Sequence, residues 1–320
     1  MHHVGRIDWS FTQSPAPDSR TTSGLARSVL VGPDTGAVHT ELAVGALAPG
    51  GWIGRHVHSF EEAFYDLGGE LILELDGRVH RLVAGDYALL TIGTPHSLVA
   101  PGQPEPVRWL AVSTPARRAP SAPTPDTFFA PGQPDVGGLT TAATRPAFGD
   151  PTVRFVGHYE GTPPQAEALR IVDAARGREP AGMDTALLAY SGISVKMLVD
   201  RTLGADLLTM FTVDYEAGGA AQAHDHPFEE TYFFLAGETA AEIDGTSHRF
   251  RAGDVAFAGV GSVHGFWNDG PERVRWIETQ APQPPARHAY RWEPTWQRFA
   301  ERGLDQWPAP NGGAVSHPGG

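Results

Sequence analysis

Residues 71–90 read LILELDGRVHRLVAGDYALL: an apolar-rich run, an Asp-Gly pair, a second run, a Gly-Asp turn and a third run. Residues 239–258, TAAEIDGTSHRFRAGDVAFA, follow the same order. Each run is of strand length, and no 3.6-residue period interrupts them. Asp76-Gly77 and Asp244-Gly245 are strong two-residue hairpin signals, because both central positions of such a turn need positive φ. The pattern predicts strand after strand, folded as two all-β barrels or sandwiches.

The likeness of the two stretches extends further. Residues 50–86 align without a gap on 218–254, at a constant offset of 168, with about half the positions identical. His56/His224, His58/His226, Phe60-Glu61-Glu62/Phe228-Glu229-Glu230 and Asp76-Gly77/Asp244-Gly245 all match, and His96/His264 keep the offset. The period is too long for a solenoid, so each copy is expected to be a domain. The expected division is an N-terminal barrel over 1–120, a linker and extended arm over 121–189, a C-terminal barrel over 190–305 and a flexible tail over 306–320. Pro-rich residues 114–135 mark the seam. Short helices are expected over 166–177 in the linker and 293–304 near the C-terminus.

Composition narrows the function. The 320 residues carry a formal net charge of −13, with 41% hydrophobic and 19% charged positions. No basic run offers a surface to nucleic acid or an anionic membrane. There is no cysteine, which excludes disulfides, zinc–thiolate sites, iron–sulfur clusters and a thiol nucleophile. No signal-like N-terminus and no long apolar stretch is visible, so a cytoplasmic location is the expectation. The 38 glycines and 28 prolines suit many short strands joined by tight turns.

Alternation along a strand puts His224, His226 and Glu230 on one face. His264, from a neighbouring strand, can close the set. Three imidazoles and one carboxylate converging inside a barrel suit a borderline divalent ion. The first copy offers His56, His58, Glu62 and His96. A His-x-His alone arises by chance, but an unpaired buried charge is costly, and the repeat reproduces all four residue types. On the same parity argument Glu61 and Glu229 face away and are structural; His80 and His248, on outer or turn positions before an Arg, are not ligands. Trp109 and Trp276, in the duplicated V-R-W, are expected to fill core or interface.

The chain resembles the tandem members of the cupin superfamily, the bicupins. Their first motif, G-x5-H-x-H-x3/4-E-x6-G, is met by Gly50, His56, His58, Glu62 and Gly69, then by Gly218, His224, His226, Glu230 and Gly237. The second, G-x5-P-x-G-x2-H-x3-N, is met by Gly253, Gly261, His264 and Asn268, with Gly259 for Pro. The N-terminal copy keeps Gly85, Gly93 and His96, with Thr91 for Pro and Ala100 for Asn. The resemblance implies two double-stranded β-helix jelly rolls, each with one divalent transition metal (Fe, Mn, Ni, Co, Cu or Zn) near an open end. Four protein ligands leave an octahedral ion two positions for water, O2 or a chelating substrate.

The second copy places Gln222, Phe228, Tyr232, Phe234 and Phe266 on the metal-facing parity, a pocket for a flat or partly apolar ligand. The first copy has Phe64 and Asp66 there, Asp66 being either a general base or a bulge residue turned to solvent. The fuller second motif favours the C-terminal site as the more active. The resemblance implies a metal-dependent oxidoreductase, dioxygenase-like, acting on a small metal-chelating organic substrate. Alternatives are a metal-dependent decarboxylase, an isomerase, a ureidoglycine-aminohydrolase-like hydrolase and a non-catalytic small-molecule binder. The hydrolase pattern, Glu-x-His-x3-His with a distal Gln, differs from the one here. Residues 1–25 could cross to a neighbour and form a homodimer.

Overall fold

The computed structural model describes residues 1–13, 18–118, 123–148, 153–159, 187–190, 192–283 and 291–292. Two β-barrels account for almost all of it, and the all-β expectation holds. The helices expected over 166–177 and 293–304, and the tail over 306–320, lie outside the described residues. One short helix, Val136–Ala142, does fall in the expected linker, its N-terminus capped by the Asp135 carboxylate.

In the N-terminal barrel the strand Glu41–His58 is eighteen residues long and pairs in two parts. Its first part pairs with Val107–Thr114 and its last part with His96–Val99. The bend between them holds Gly50 at φ +75°, a value that a side chain would disfavour. The C-terminal barrel breaks the same path into Thr209–Tyr215 and Ala220–Asp225, with Gly218 at φ +78°. The first glycine of the repeated motif is thus a corner in both barrels. Both Asp-Gly hairpins form as expected: Asp76/Gly77 sit at φ +49° and +76°, Asp244/Gly245 at +48° and +75°.

Each barrel has its own apolar filling: Leu71, Leu73, Leu82 and Leu98 in the first, Phe211, Phe234, Phe250 and Phe266 in the second. Trp109 and Trp276 are core residues, as expected. A further cluster joins the barrels, with Leu42, Val44 and Leu110 meeting Met210, Phe233 and Ile277. This explains why Glu61–Gly68 and Val107–Thr114 are buried on both faces rather than alternating with solvent.

Glu61 and Glu229 hold the barrels together reciprocally. Glu229 accepts the backbone N–H groups of Val38, His39 and Thr40, at 2.7, 2.9 and 3.2 Å. Glu61 accepts those of Asp206, Leu207 and Leu208, at 2.9, 3.0 and 3.1 Å. Each carboxylate therefore ties off a loop of the opposite barrel, which gives the structural reading of these residues a specific content.

Two segments depart from the expected division. The strand His2–Arg6 leaves the N-terminal barrel and pairs antiparallel with Asp254–Ala258 of the C-terminal one. The N-terminal segment thus crosses to a partner sheet within its own chain. The seam is not only a connection: Thr127–Phe129 pairs with the metal-motif strand, Thr127 opposite His58 and Phe129 opposite His56. Arg291–Trp292 repeats this in the second barrel, Trp292 opposite His224.

Candidate metal centres

The fold brings both sets of four residues together. His56 pairs across the sheet with His96, and His224 with His264. The ring centroids of His56 and His58 lie 4.1 and 4.9 Å from that of His96. Those of His224 and His226 lie 4.5 and 4.9 Å from that of His264. One nitrogen from each of His224, His226 and His264 falls within 4.8 Å of the others, the one such group among the described residues.

All six rings are oriented alike. His56, His96, His224 and His264 turn Nδ1 to the carbonyl two residues earlier, at 2.7–2.9 Å. His58 and His226 turn it to the carbonyl two residues later, at 2.6 and 3.3 Å. A carbonyl only accepts, so Nδ1 carries the proton and Nε2 presents its lone pair to the centre. His58 and His226 are further fixed by stacking on Phe60 and Phe228, at 4.0 and 4.2 Å and nearly parallel. Burial first, then a neighbouring imidazole, pushes His56 and His224 down to about 3 and His96 to about 4. At neutral pH those three lone pairs are available.

Glu62 and Glu230 complete the sets. Burial opposes the charge on Glu62, but His58 and Arg117 outweigh it and hold the carboxyl below its usual range. Glu230 is likewise held well below that range by His226 and His264, against burial. Its Oε2 is 2.8 Å from His226 Nε2 and 3.2 Å from His264 Nε2. With each Nδ1 committed to a carbonyl, a cation can take the place of the protons those close approaches otherwise require. In the first barrel the buried His58 Nε2 has no hydrogen-bond partner among the described residues. Three buried, pre-oriented imidazoles and one carboxylate in the second barrel fit a divalent transition ion, and the same four residue types line one cavity in the first.

The two centres differ in what surrounds them. Aligning the duplicated V-R-W puts Ala111 opposite Glu278 and Ser113 opposite Gln280. In the second barrel Gln280 Nε2 donates to Glu230 Oε1 at 2.6 Å, and the Tyr232 hydroxyl donates to Glu230 Oε2. Glu278, 2.9 Å from the Trp276 indole N–H, is pushed well above its normal range by burial, then by the charge on Glu230. In the first barrel a serine, Ser113, donates to Glu62 at 3.2 Å, and Phe64 stands where Tyr232 does.

The cavity beside the C-terminal trio is about 50 Å³, and Val195, Phe266 and Glu278 are among its walls. The N-terminal one is about 70 Å³. Arg27, at the position of Val195, and Arg117 line it. Arg27 is 2.5 Å from Glu41, whereas Arg117 lies over the Phe60 ring and makes no ion pair among the described residues. Both arginines also line an adjoining groove of about 480 Å³. Space on the inner side comes from Gly45, where a Cβ would overlap the Trp109 ring, and from Ala111.

The expected pocket residues divide. Tyr232 and Phe266 line the C-terminal cavity. Gln222 is exposed and contributes its backbone carbonyl to His224, not its side chain to a pocket. Phe228 backs His226, and Phe234 stacks on Phe250 deeper in the barrel. Phe64 is core. Asp66 is buried, four residues along the strand from Glu62, roughly 13 Å away at strand spacing. Neither the solvent-facing bulge nor the base beside the metal describes it: Oδ1 accepts from Gly68 N–H at 2.8 Å and the carboxyl neighbours Asp86.

Sequence reasoning missed Arg27, Arg117, Glu278 and Gln280. The last two were readable from the V-R-W alignment, since Trp276, Glu278 and Gln280 share one parity. The arginines come from strands and loops outside the motifs, and only the fold brings them in.

A Cupin domain family model matches the chain twice, at residues 43–113 and 211–279. No curated protein matches the sequence. Solved structures share the fold at low identity. A salicylate 1,2-dioxygenase variant from Pseudoaminobacter salicylatoxidans, complexed with gentisate, matches with a TM-score of 0.64 and 15% identity, over 88% of this chain and 82% of that one. A Bacillus subtilis oxalate decarboxylase variant matches with a TM-score of 0.58 and 15% identity, over 98% and 87%. A protein described as a putative glyoxylate-induced protein of Pseudomonas aeruginosa matches with a TM-score of 0.58 and 16% identity, over 90% of each. Among the described residues no helix is long and apolar enough to cross a membrane.

Proposed function

Since the chain is a bicupin, we propose that it is a metal-dependent oxidoreductase of the dioxygenase type, whose substrate is a small chelating molecule bearing a carboxylate. His56, His58, Glu62 and His96 hold one divalent transition ion and His224, His226, Glu230 and His264 another. The ions supply Lewis acidity and, for iron or manganese, redox chemistry with O2. The observation that carries the reading is the pair Arg27 and Arg117 beside the N-terminal imidazoles.

The unpaired Arg117 guanidinium can take a carboxylate in a two-point contact, while Arg27, held by Glu41, lines the same cavity. Phe129, stacked on His56 at 4.9 Å, and Trp109 offer flat apolar surface to the rest of the substrate. The C-terminal cavity has Val195 where the first has Arg27, and an added carboxyl at Glu278. An anion is therefore favoured at the N-terminal site, the reverse of what the fuller second motif suggests. Among the enzymes of like fold, the salicylate dioxygenase binds gentisate, a hydroxybenzoate.

The test is an oxygen electrode with protein reconstituted in Fe(II) or Mn(II). O2 uptake is expected with hydroxybenzoates and not with the corresponding phenols lacking the carboxylate. Arg117→Gln should raise KM about ten- to a hundredfold, as loss of a charged contact does, with metal content unchanged. CO2 release from a dicarboxylate without O2 uptake would favour the decarboxylase alternative. Equal turnover of carboxylated and uncarboxylated phenols would overturn the substrate assignment.

A further inference from the structure

A third cavity, of about 630 Å³, lies where the two barrels meet. It is many times larger than either metal-side cavity and falls in the size range of small-molecule sites, at a position such sites favour. Arg108 and Gln103 line it from one barrel, Phe233 and Leu235 from the other, and Arg6 and Trp9 from the N-terminal segment that crosses between them.

Its polar groups are donors left over. The Arg108 guanidinium lies 5.0 Å from the centre of the Trp9 ring. It makes no ion pair among the described residues, and its buried Nε has no hydrogen-bond partner. Gln103 is oriented by the Glu70 N–H, which donates to Oε1 at 2.8 Å, so its other end, Nε2, is buried and also lacks a partner. Arg6 is already engaged by Asp254 at 2.5 Å and the Ala252 carbonyl at 3.0 Å. One acidic side chain lines the cavity, the exposed Glu105. The uncompensated charge is thus a single cation, stacked on an indole, with an amide N–H₂ nearby. Leu67, Leu235 and Pro106 supply apolar wall.

We propose that this interbarrel cleft is a binding site for a planar organic monoanion, an aromatic monocarboxylate in chemical class, separate from both metal centres. The carboxylate takes the Arg108 guanidinium and Gln103 Nε2. The ring lies against Trp9 and the apolar wall, so that two orphaned donors are satisfied at once. A single free cation with Glu105 at the rim selects a monoanion over a dianion.

Benzoate is the probe, in equilibrium dialysis against chelator-treated full-length protein. One equivalent per chain is expected, unchanged in Arg117→Gln and weakened about ten- to a hundredfold in Arg108→Gln. Gln103→Glu keeps the acceptor for the Glu70 N–H but sets a negative oxygen at the donor position. It should abolish binding even if Arg108→Gln fails to fold. Benzyl alcohol, uncharged, should bind far more weakly. The site is refuted if Arg108→Gln and Gln103→Glu bind benzoate as the parent does. It is equally refuted if benzyl alcohol binds as tightly, or if no saturable binding appears below about 10 mM. Binding lost in Arg117→Gln but kept in Arg108→Gln would also refute it, and would place the anion at the N-terminal metal site instead.

Discussion

At the scale of single residues, the six imidazoles show how a chain prepares a cation site: each Nδ1 proton goes to a carbonyl two residues away, and each Nε2 faces inward. Asp66 shows the opposite case, a buried acid with no ion pair among the described residues and only a weak pull from Arg145. Burial, with help from Asp86, pushes its carboxyl up to about 8 from an unperturbed 3.8, despite the Gly68 N–H that favours the charge. Its folded-state value lies above its unfolded one. The folded protein therefore keeps a proton that the unfolded chain releases, and stability falls as pH rises from about 4 to about 8. Asp66→Asn removes that dependence while keeping an acceptor for Gly68. Its stability relative to the parent should be near zero at pH 4 and greater by about 3–4 kcal/mol at pH 7, read from urea unfolding at both pH values. A pH-independent difference would show that Asp66 is ionised in the fold. The metal-facing His and Glu positions were legible because strand parity and the repeat specify them. Asp66 was not, because parity gives the face of a strand but not the depth along a barrel.

At the scale of elements, strand existence and hairpin position were legible, since Asp-Gly pairs and alternating runs act locally. Partner choice was not. His2–Arg6 reads as belonging to the first barrel and pairs with the second, and Thr127–Phe129 reads as linker and forms an edge beside His56 and His58. The register of such pairings depends on sheets assembled from far along the chain. The Glu61 and Glu229 clamps belong to this scale too. Glu229→Ala would leave the N–H groups of residues 38–40 without their acceptor, and should lower unfolding free energy by about 2–4 kcal/mol. Glu61→Ala should do the same through residues 206–208. Urea titration checks both. A change within about 0.5 kcal/mol, as at an ordinary surface position, would show the clamps to be inert. Metal content should stay at the parent level in both variants, since these carboxylates point away from the centres.

At the scale of the whole molecule, the two barrels carry clusters of the same four residue types in opposite surroundings. Arg27 and Arg117 line the first cavity, while the second has Val195 and Glu278, whose carboxyl is pushed well above its usual range by burial and then by Glu230. The barrels are bound by an apolar seam and by reciprocal carboxylate clamps, so neither centre sits on an independent unit. The repeat announced the two centres; their divergence lies in residues outside the motifs, where one sequence alone gives little guide to which side chains converge. The most direct measurement is elemental analysis of the chain purified without a metal-affinity step and supplied with Fe(II) or Mn(II), alongside His56→Ala and His224→Ala. Two equivalents per parent chain and one in each variant are expected. Full occupancy retained in either variant, or none in the parent, would contradict that expectation.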